Sequence, residues 1–215
     1  MYATRPTHKN LALFDFDGTL CIKDSFTGFI FYALKKRHIV KQGIKILPWI
    51  QAYYLNIYPA HAMRPKLFRA MFKDMPAAKI LEMALEYSQQ LRHQLSPELY
   101  QQLLKHQQND DDVVIVSASI DIYLKDIAEL LNVDLICTQS EIKDQHFSGE
   151  FATPDCSSEQ KKIRILEKYD LNQYDYIYAY GNSREDLDMM SLADHPYMVG
   201  ETEQLPQIKL EKKLA

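Results

Sequence analysis

The sequence is poor in what disulfide scaffolds and metal knuckles require. Its three cysteines, Cys21, Cys137 and Cys156, lie far apart with no CxxC pair. An odd, scattered set argues against a disulfide framework or a zinc site, and a reducing cytoplasm is the expected compartment. The seven histidines, at 8, 38, 61, 93, 106, 146 and 195, form no HExxH or HxH pattern, which leaves zinc hydrolysis without support. GxxxxGKS/T, GxGxxG and GxSxG are also missing, so nucleoside triphosphatase, Rossmann dehydrogenase and serine hydrolase readings lack their defining loops. Long apolar runs are absent too. The richest stretch, from Ile39 to Tyr58, is interrupted by Lys41, Gly43, Lys45 and Pro48, which counts against a bilayer span of about 20 apolar residues. The first ten residues lack the apolar core of a signal peptide and read as a short disordered lead. No internal repeat or low-complexity linker is present.

What is there is an ordinary globular composition, 47% hydrophobic and 25% charged over 215 residues, enough for one α/β domain with a modest insertion. The net charge of -4 hides an asymmetry: residues 21–75 hold ten Lys or Arg against Asp24 and Asp74 alone. That basic block suits steering of anionic substrates or contact with anionic lipid better than nucleic-acid binding. A solvated helix face accounts for it equally well.

The organising stretch is Leu11-Ala12-Leu13-Phe14-Asp15-Phe16-Asp17-Gly18-Thr19-Leu20. Its continuous apolar start predicts a strand buried on both faces of a parallel sheet, and Gly18 marks a tight exit. Ligands of open α/β sheets bind beyond the carboxyl ends of strands, where Asp15 and Asp17 would stand. Side chains at i and i+2 share a side, and two carboxylates so close repel unless a cation or shared proton intervenes.

Further strands are predicted at Val113–Ser117, Val133–Cys137, Tyr174–Tyr180 and Tyr197–Val199, alternating with helices over 121–132, 158–169 and Asp186–Leu192. Gln139–Phe151 reads as a hairpin-like flap. The rhythm implies an α/β fold with a doubly wound parallel sheet. Far more chain separates the first two strands than one crossover needs, so residues 21–95 read as a helical cap and residues 1–20 with 96–215 as the core. Within the cap, a helix begins at Asp24 or Ser25, short amphipathic helices cover 39–58, and helical structure over 65–93 breaks at Pro76. Trp49, Tyr53, Tyr54 and Tyr58 are expected to form the cap's own core, ahead of contact with an apolar substrate.

Asp-Phe-Asp-Gly-Thr-Leu at 15–20 resembles the first motif of the haloacid dehalogenase superfamily in its phosphatase branches. A cap directly after that motif resembles the layout of the subfamily that includes phosphoserine phosphatase. The resemblance implies that Asp15 is the nucleophile that attacks phosphorus and Asp17 the general acid and base, with Thr19 helping to orient Asp17. Val-Ser-Ala-Ser at 116–119 resembles the second motif and assigns Ser117 to the phosphoryl group, although a strand-end Ser also caps helices. Cys156-Ser-Ser-Glu-Gln-Lys161-Lys162-Ile-Arg164 resembles the third, whose lysine neutralises phosphate and nucleophile; spacing favours Lys161 over Lys162. Gly181-Asn182-Ser183-Arg184-Glu185-Asp186 resembles the fourth, Gly-Asp-Ser-x-x-Asp, with Asn in place of the first acid. An amide oxygen still suits a hard cation but brings no charge.

The implied cofactor is therefore Mg²⁺, held by Asp15, Asp17, Asn182 and Asp186. Asp24 stands nine residues after Asp15, where phosphoserine phosphatase carries an acid that reads the substrate amine, and is an equally good helix cap. Arg64 and Arg69 suit a second anionic group of the substrate or plain solvation. Together these features imply a Mg²⁺-dependent phosphomonoester hydrolase that works through an aspartyl phosphate on a small phosphorylated metabolite. Alternatives are a lipid-phosphate phosphatase at a membrane surface, which is not favoured, a phosphotransferase, and a weakly active phosphate-ligand-binding protein. Nucleic acid is not an expected partner.

Overall fold

A computed structural model describes residues 9–209. The expected N-terminal lead falls mainly on residues 1–8, outside the described residues. Strands β1 (Leu11–Phe14), β2 (Asp112–Ile120), β3 (Asp134–Thr138), β6 (Ile177–Gly181) and β7 (His195–Met198) form one sheet in the order β3-β2-β1-β6-β7. All its neighbouring strands are parallel. The central strands are unbroken apolar runs because both their faces are covered. One face packs Leu11, Leu13, Val114 and Val116 against Ile165 and Met189. The other packs Ala12, Phe14 and Ile115 against Tyr123, Ile127 and Leu103, and Phe14 stacks on Tyr180 at 4.3 Å. In the register Phe14 lies opposite both Ile115 and Tyr180, so β6 ends one residue past β1. The residues that follow them, Asp15 and Asn182, consequently emerge at the same sheet edge.

Helices α1 (Ser25–Ala33), α2 (Lys36–Lys45), α3 (Leu47–Tyr54), α4 (Ala60–Phe72) and α5 (Ala77–Leu91) occupy the stretch after β1. The Asp24 carboxylate caps α1 by accepting from the Thr27 amide at 2.9 Å. Pro76 separates α4 from α5 because it cannot supply the amide that a continuous helix needs. The chain leaves and re-enters the sheet layer through paired segments, with Ile22 N–H donating to Gln94 O at 3.0 Å and Ser96 N–H to Leu20 O at 2.8 Å. Next come α6 (Pro97–Gln108), α7 (Asp121–Leu131), α8 (Glu159–Lys168) and α9 (Leu187–Met190). No helix among the described residues is long and apolar enough to cross a membrane.

Two features differ from expectation. Trp49, Tyr53, Tyr54 and Tyr58 do not form the interior of the expected cap: α3 has no buried residue, Tyr54 is 78% exposed, and Tyr58 is only half-buried. That interior is built by Phe26, Phe29, Phe68, Phe72 and Tyr87, which join the cluster on the α7 side of the sheet. The hairpin β4 (Ser140–Lys143) and β5 (His146–Phe151) is antiparallel, as the flap pattern predicts, but it is not free. Its main chain bonds the α4–α5 link, with Asp74 N–H donating to Phe147 O at 2.8 Å, Phe147 N–H to Met75 O at 2.9 Å and Ala77 N–H to Gln145 O at 2.8 Å. Phe68 meets Phe147 and Phe151 across that seam at 6.0 and 5.0 Å.

Candidate active site

Asp15 is fixed where β1 ends, its N–H donating to Tyr180 O of β6 at 2.9 Å. Lys161 enters from the first turn of α8, and Asp186 from the short turn before α9. The buried Lys161 ammonium donates to Asp15 Oδ1 and to Asp186 Oδ1, each at 2.6 Å. Lys162, the next residue around the helix, points outward to Ser191 Oγ at 3.1 Å. Ser117, at the sheet edge on β2, is buried, and its Oγ accepts from Ser119 N–H at 3.0 Å.

The carboxylates titrate differently because their partners differ. Burial pushes Asp15 up to about 6, only partly opposed by the Lys161 charge. Asp17 is raised by burial as well, against hydrogen bonds from Ser119 and Ser25. Burial would also raise Asp186, yet Lys161 and donors from its own loop hold it below the usual carboxylate range. Those loop donors, Asn182 N–H, Ser183 N–H and Ser183 O–H, all reach Asp186 Oδ2 at 3.0 Å. Burial works against the charge on Lys161, but its two carboxylates outweigh that and raise its pKa.

Gly18 allows the loop to close. It has φ +78°, and a Cβ there would sit 2.0 Å from Asn182 Nδ2. The Asn182 side chain thus lies directly over the Asp15–Thr19 turn. A cavity of about 710 Å³ opens here, with Asp15, Asp17, Ser117, Lys161, Asn182 and Asp186 among its lining residues and helices α1 to α4 supplying much of the opposite wall.

Several expected roles need correction. The Thr19 hydroxyl donates to Asp15 Oδ2 at 2.8 Å, so it orients Asp15 and not Asp17. Asp17 instead accepts from Ser25 N–H at 2.6 Å and from the Ser119 hydroxyl, which tie its carboxylate to the start of α1 and the end of β2. Asp24 lines the cavity, but both its oxygens are engaged by Thr27. Arg64 is neither solvated nor free for a substrate anion. Its guanidinium clasps Asp155 at 2.7 and 2.9 Å and Glu185 at 3.0 Å, joining α4 to two loops of the core. Arg69 does not line the cavity; it pairs with Glu150 on the hairpin, about half exposed.

Sequence reasoning missed the holders of Asp17. Ser119 was within reach, since it lies two residues beyond Ser117, but Ser25 carried no signal beyond that of a helix start.

The oxygen donor set suits Mg²⁺, which takes one or two carboxylates and keeps several waters. Asp15 and Asp186, with Asn182 on the same cavity wall, provide such a set, while Asp17, also expected as a ligand, is held by Ser25 and Ser119. Among the described residues no three His, Cys, Asp or Glu side chains converge as a preformed cage.

A model of the haloacid dehalogenase-like hydrolase family matches residues 12–191. The histidinol-phosphatase of Neisseria meningitidis serogroup C is 26% identical over 219 residues, covering 95% of this chain and 94% of that one. Among solved structures, a Bordetella pertussis Tohama I protein of unknown function superposes with a TM-score of 0.69 at 20% identity, covering 88% of this chain and 89% of its own. A substrate-bound phosphoserine phosphatase gives 0.59 at 18% identity, covering 88% and 85%. Both structures share the parallel-sheet fold described above.

Proposed function

The chain belongs to the haloacid dehalogenase-like hydrolase family, and from that membership we propose that it is a Mg²⁺-dependent phosphomonoesterase working through an aspartyl phosphate. The observation that carries this reading is the Lys161 ammonium shared between Asp15 and Asp186, with Ser117 lining the same cavity. Four stretches far apart in sequence supply one nucleophile, its counter-charge and an oxygen-rich floor.

In this reading Asp15, ionised above about pH 6, attacks phosphorus as the bond to the substrate's alcohol oxygen breaks. Asp17, whose raised pKa favours a held proton, gives that proton to the departing alkoxide. It then takes a proton from the water whose oxygen adds to phosphorus, freeing Asp15 and inorganic phosphate. Lys161 and the Ser117 hydroxyl meet charge on the phosphoryl oxygens. Mg²⁺ held by Asp15, Asp186 and Asn182 would neutralise more of that charge. Residues 21–95 serve as the cap that limits water and admits the alcohol. The names of the histidinol-phosphatase relative and of the phosphoserine phosphatase with the same fold support phosphate ester chemistry.

The test is phosphate release from p-nitrophenyl phosphate. It should require Mg²⁺, stop with a chelator, and disappear in Asp15→Asn. A wild-type chain inactive on a broad phosphomonoester panel would reject the enzyme reading. It would favour a phosphate-ligand-binding protein, for which the missing charge at Asn182 speaks.

A further inference from the structure

The cavity has two chemically distinct ends. Its floor is charged, but the walls that would surround a leaving alcohol are apolar, with Ile30, Phe31, Ile39, Ile50, Leu67 and Met71 lining it from α1 to α4. Tyr53 and Tyr54 extend the wall from α3. The charged cap side chains that line it, Lys23, Asp24 and Arg64, are either paired or open to solvent. Arg64 is spent on Asp155 and Glu185, and Asp24, which caps α1 through Thr27, is exposed rather than buried. Lys23 lines the cavity too, but it is solvent-exposed. An alcohol carrying an ammonium and a carboxylate, such as serine, would lose water here and gain no buried counter-charge, which is unfavourable. The roughly 710 Å³ of space also far exceeds what a three-carbon alcohol fills.

We propose that the cavity takes a phosphomonoester whose alcohol carries an apolar chain or ring of several carbons, seated against the α1–α4 walls while phosphate sits on the Lys161 floor. This rests on the phosphatase reading for turnover but not for binding. The exposed side of the same wall bears Val40, Ile44, Leu47 and Leu55 among Lys36, Arg37, Lys41 and Lys45. The chain-bearing ester could therefore reach the cavity from solution or from a lipid surface.

The test measures binding and turnover separately. Ethyl- to octylphosphonate are titrated by calorimetry into the full chain with Mg²⁺, and phosphate release is followed from the matching alkyl phosphates and from O-phosphoserine. Affinity and kcat/KM should rise by up to about fourfold per added methylene until the wall is filled. Phe31→Ser and Tyr54→Ser, both at exposed positions, should flatten that slope, lowering the octyl-to-ethyl ratio. A flat phosphonate series, or O-phosphoserine as the best substrate, would overturn the inference. A rising phosphonate series without any turnover would keep the inference and reject the phosphatase. Octyl phosphate in free solution compared with dioctanoyl phosphatidic acid in neutral vesicles separates the two sources. Turnover of either supports the chemistry, and turnover of neither while O-phosphoserine is hydrolysed removes it.

Discussion

Two carboxylates hold the same ammonium at the same 2.6 Å, yet Asp15 is shifted up and Asp186 down. Burial and the neighbouring charges of Asp186 and Asp17 raise Asp15, whose Oδ2 has only the Thr19 hydroxyl, whereas Asp186 Oδ2 gathers three donors from its loop that join Lys161 in holding it down. Asp15 is therefore ionised against the preference of its surroundings. Its folded-state pKa of about 6 lies above the ordinary 3.8, so the native state binds more protons between those values and loses stability as pH rises through them. In metal-free protein the loss should reach about 3 kcal/mol by neutrality. Asp15→Asn should therefore gain thermal stability over the parent at pH 7.5 and little at pH 4, by roughly 6–12 °C, read from unfolding in chelator. Equal pH profiles for the two proteins would contradict this. At this scale the sequence was legible where a residue type had one chemical use. Asp15 and Lys161 were readable from their motifs, but the Thr19 hydroxyl had two carboxylates within reach, and only the turn geometry set by Gly18 decides between them.

The elements that carry the site meet through charge as much as through packing. Arg64 on α4 fastens Asp155, just before α8, and Glu185, next to Asp186. The Asp155 side chain is 7% exposed, and that guanidinium is its ion-pair partner. Arg64→Ala should cost about 3 kcal/mol by leaving it unpaired. Thermal unfolding should show a drop of roughly 6–12 °C. Arg64→Lys should recover only part, because an ammonium cannot reproduce the two-pronged contact. The strands were readable from sequence because buried parallel strands are written as apolar runs. The α3 aromatics were misread because composition does not say which neighbour a helix has. Because α3 packs against α4, Trp49 is left to stack against the Lys66 ammonium at 4.3 Å rather than inside a core.

Across the whole molecule, one apolar cluster runs from Ala12 and Phe14 through Tyr123 to Phe29, Phe72 and Tyr87, so the stretch after β1 has no separate interior. Tyr87 O–H donates to Ser25 O at 2.9 Å and its ring meets that of Tyr123 at 5.5 Å. Calorimetric unfolding should accordingly give a single transition whose van't Hoff and calorimetric enthalpies agree. Two resolved transitions would show that the cap melts alone. This continuity was not legible, since sequence pattern marks where a segment is inserted but not how tightly it is welded to its host.

The main-chain bonds from Asp74, Met75 and Ala77 to the hairpin at Gln145 and Phe147 carry a consequence for how such chains can be recombined. A chimera that exchanged only the contiguous stretch between β1 and β2 would strand half of a small shared sheet on the recipient. Breakpoints that respect the architecture must transfer two separate gene segments together, and the phenylalanines on either side of that join should change in concert or not at all.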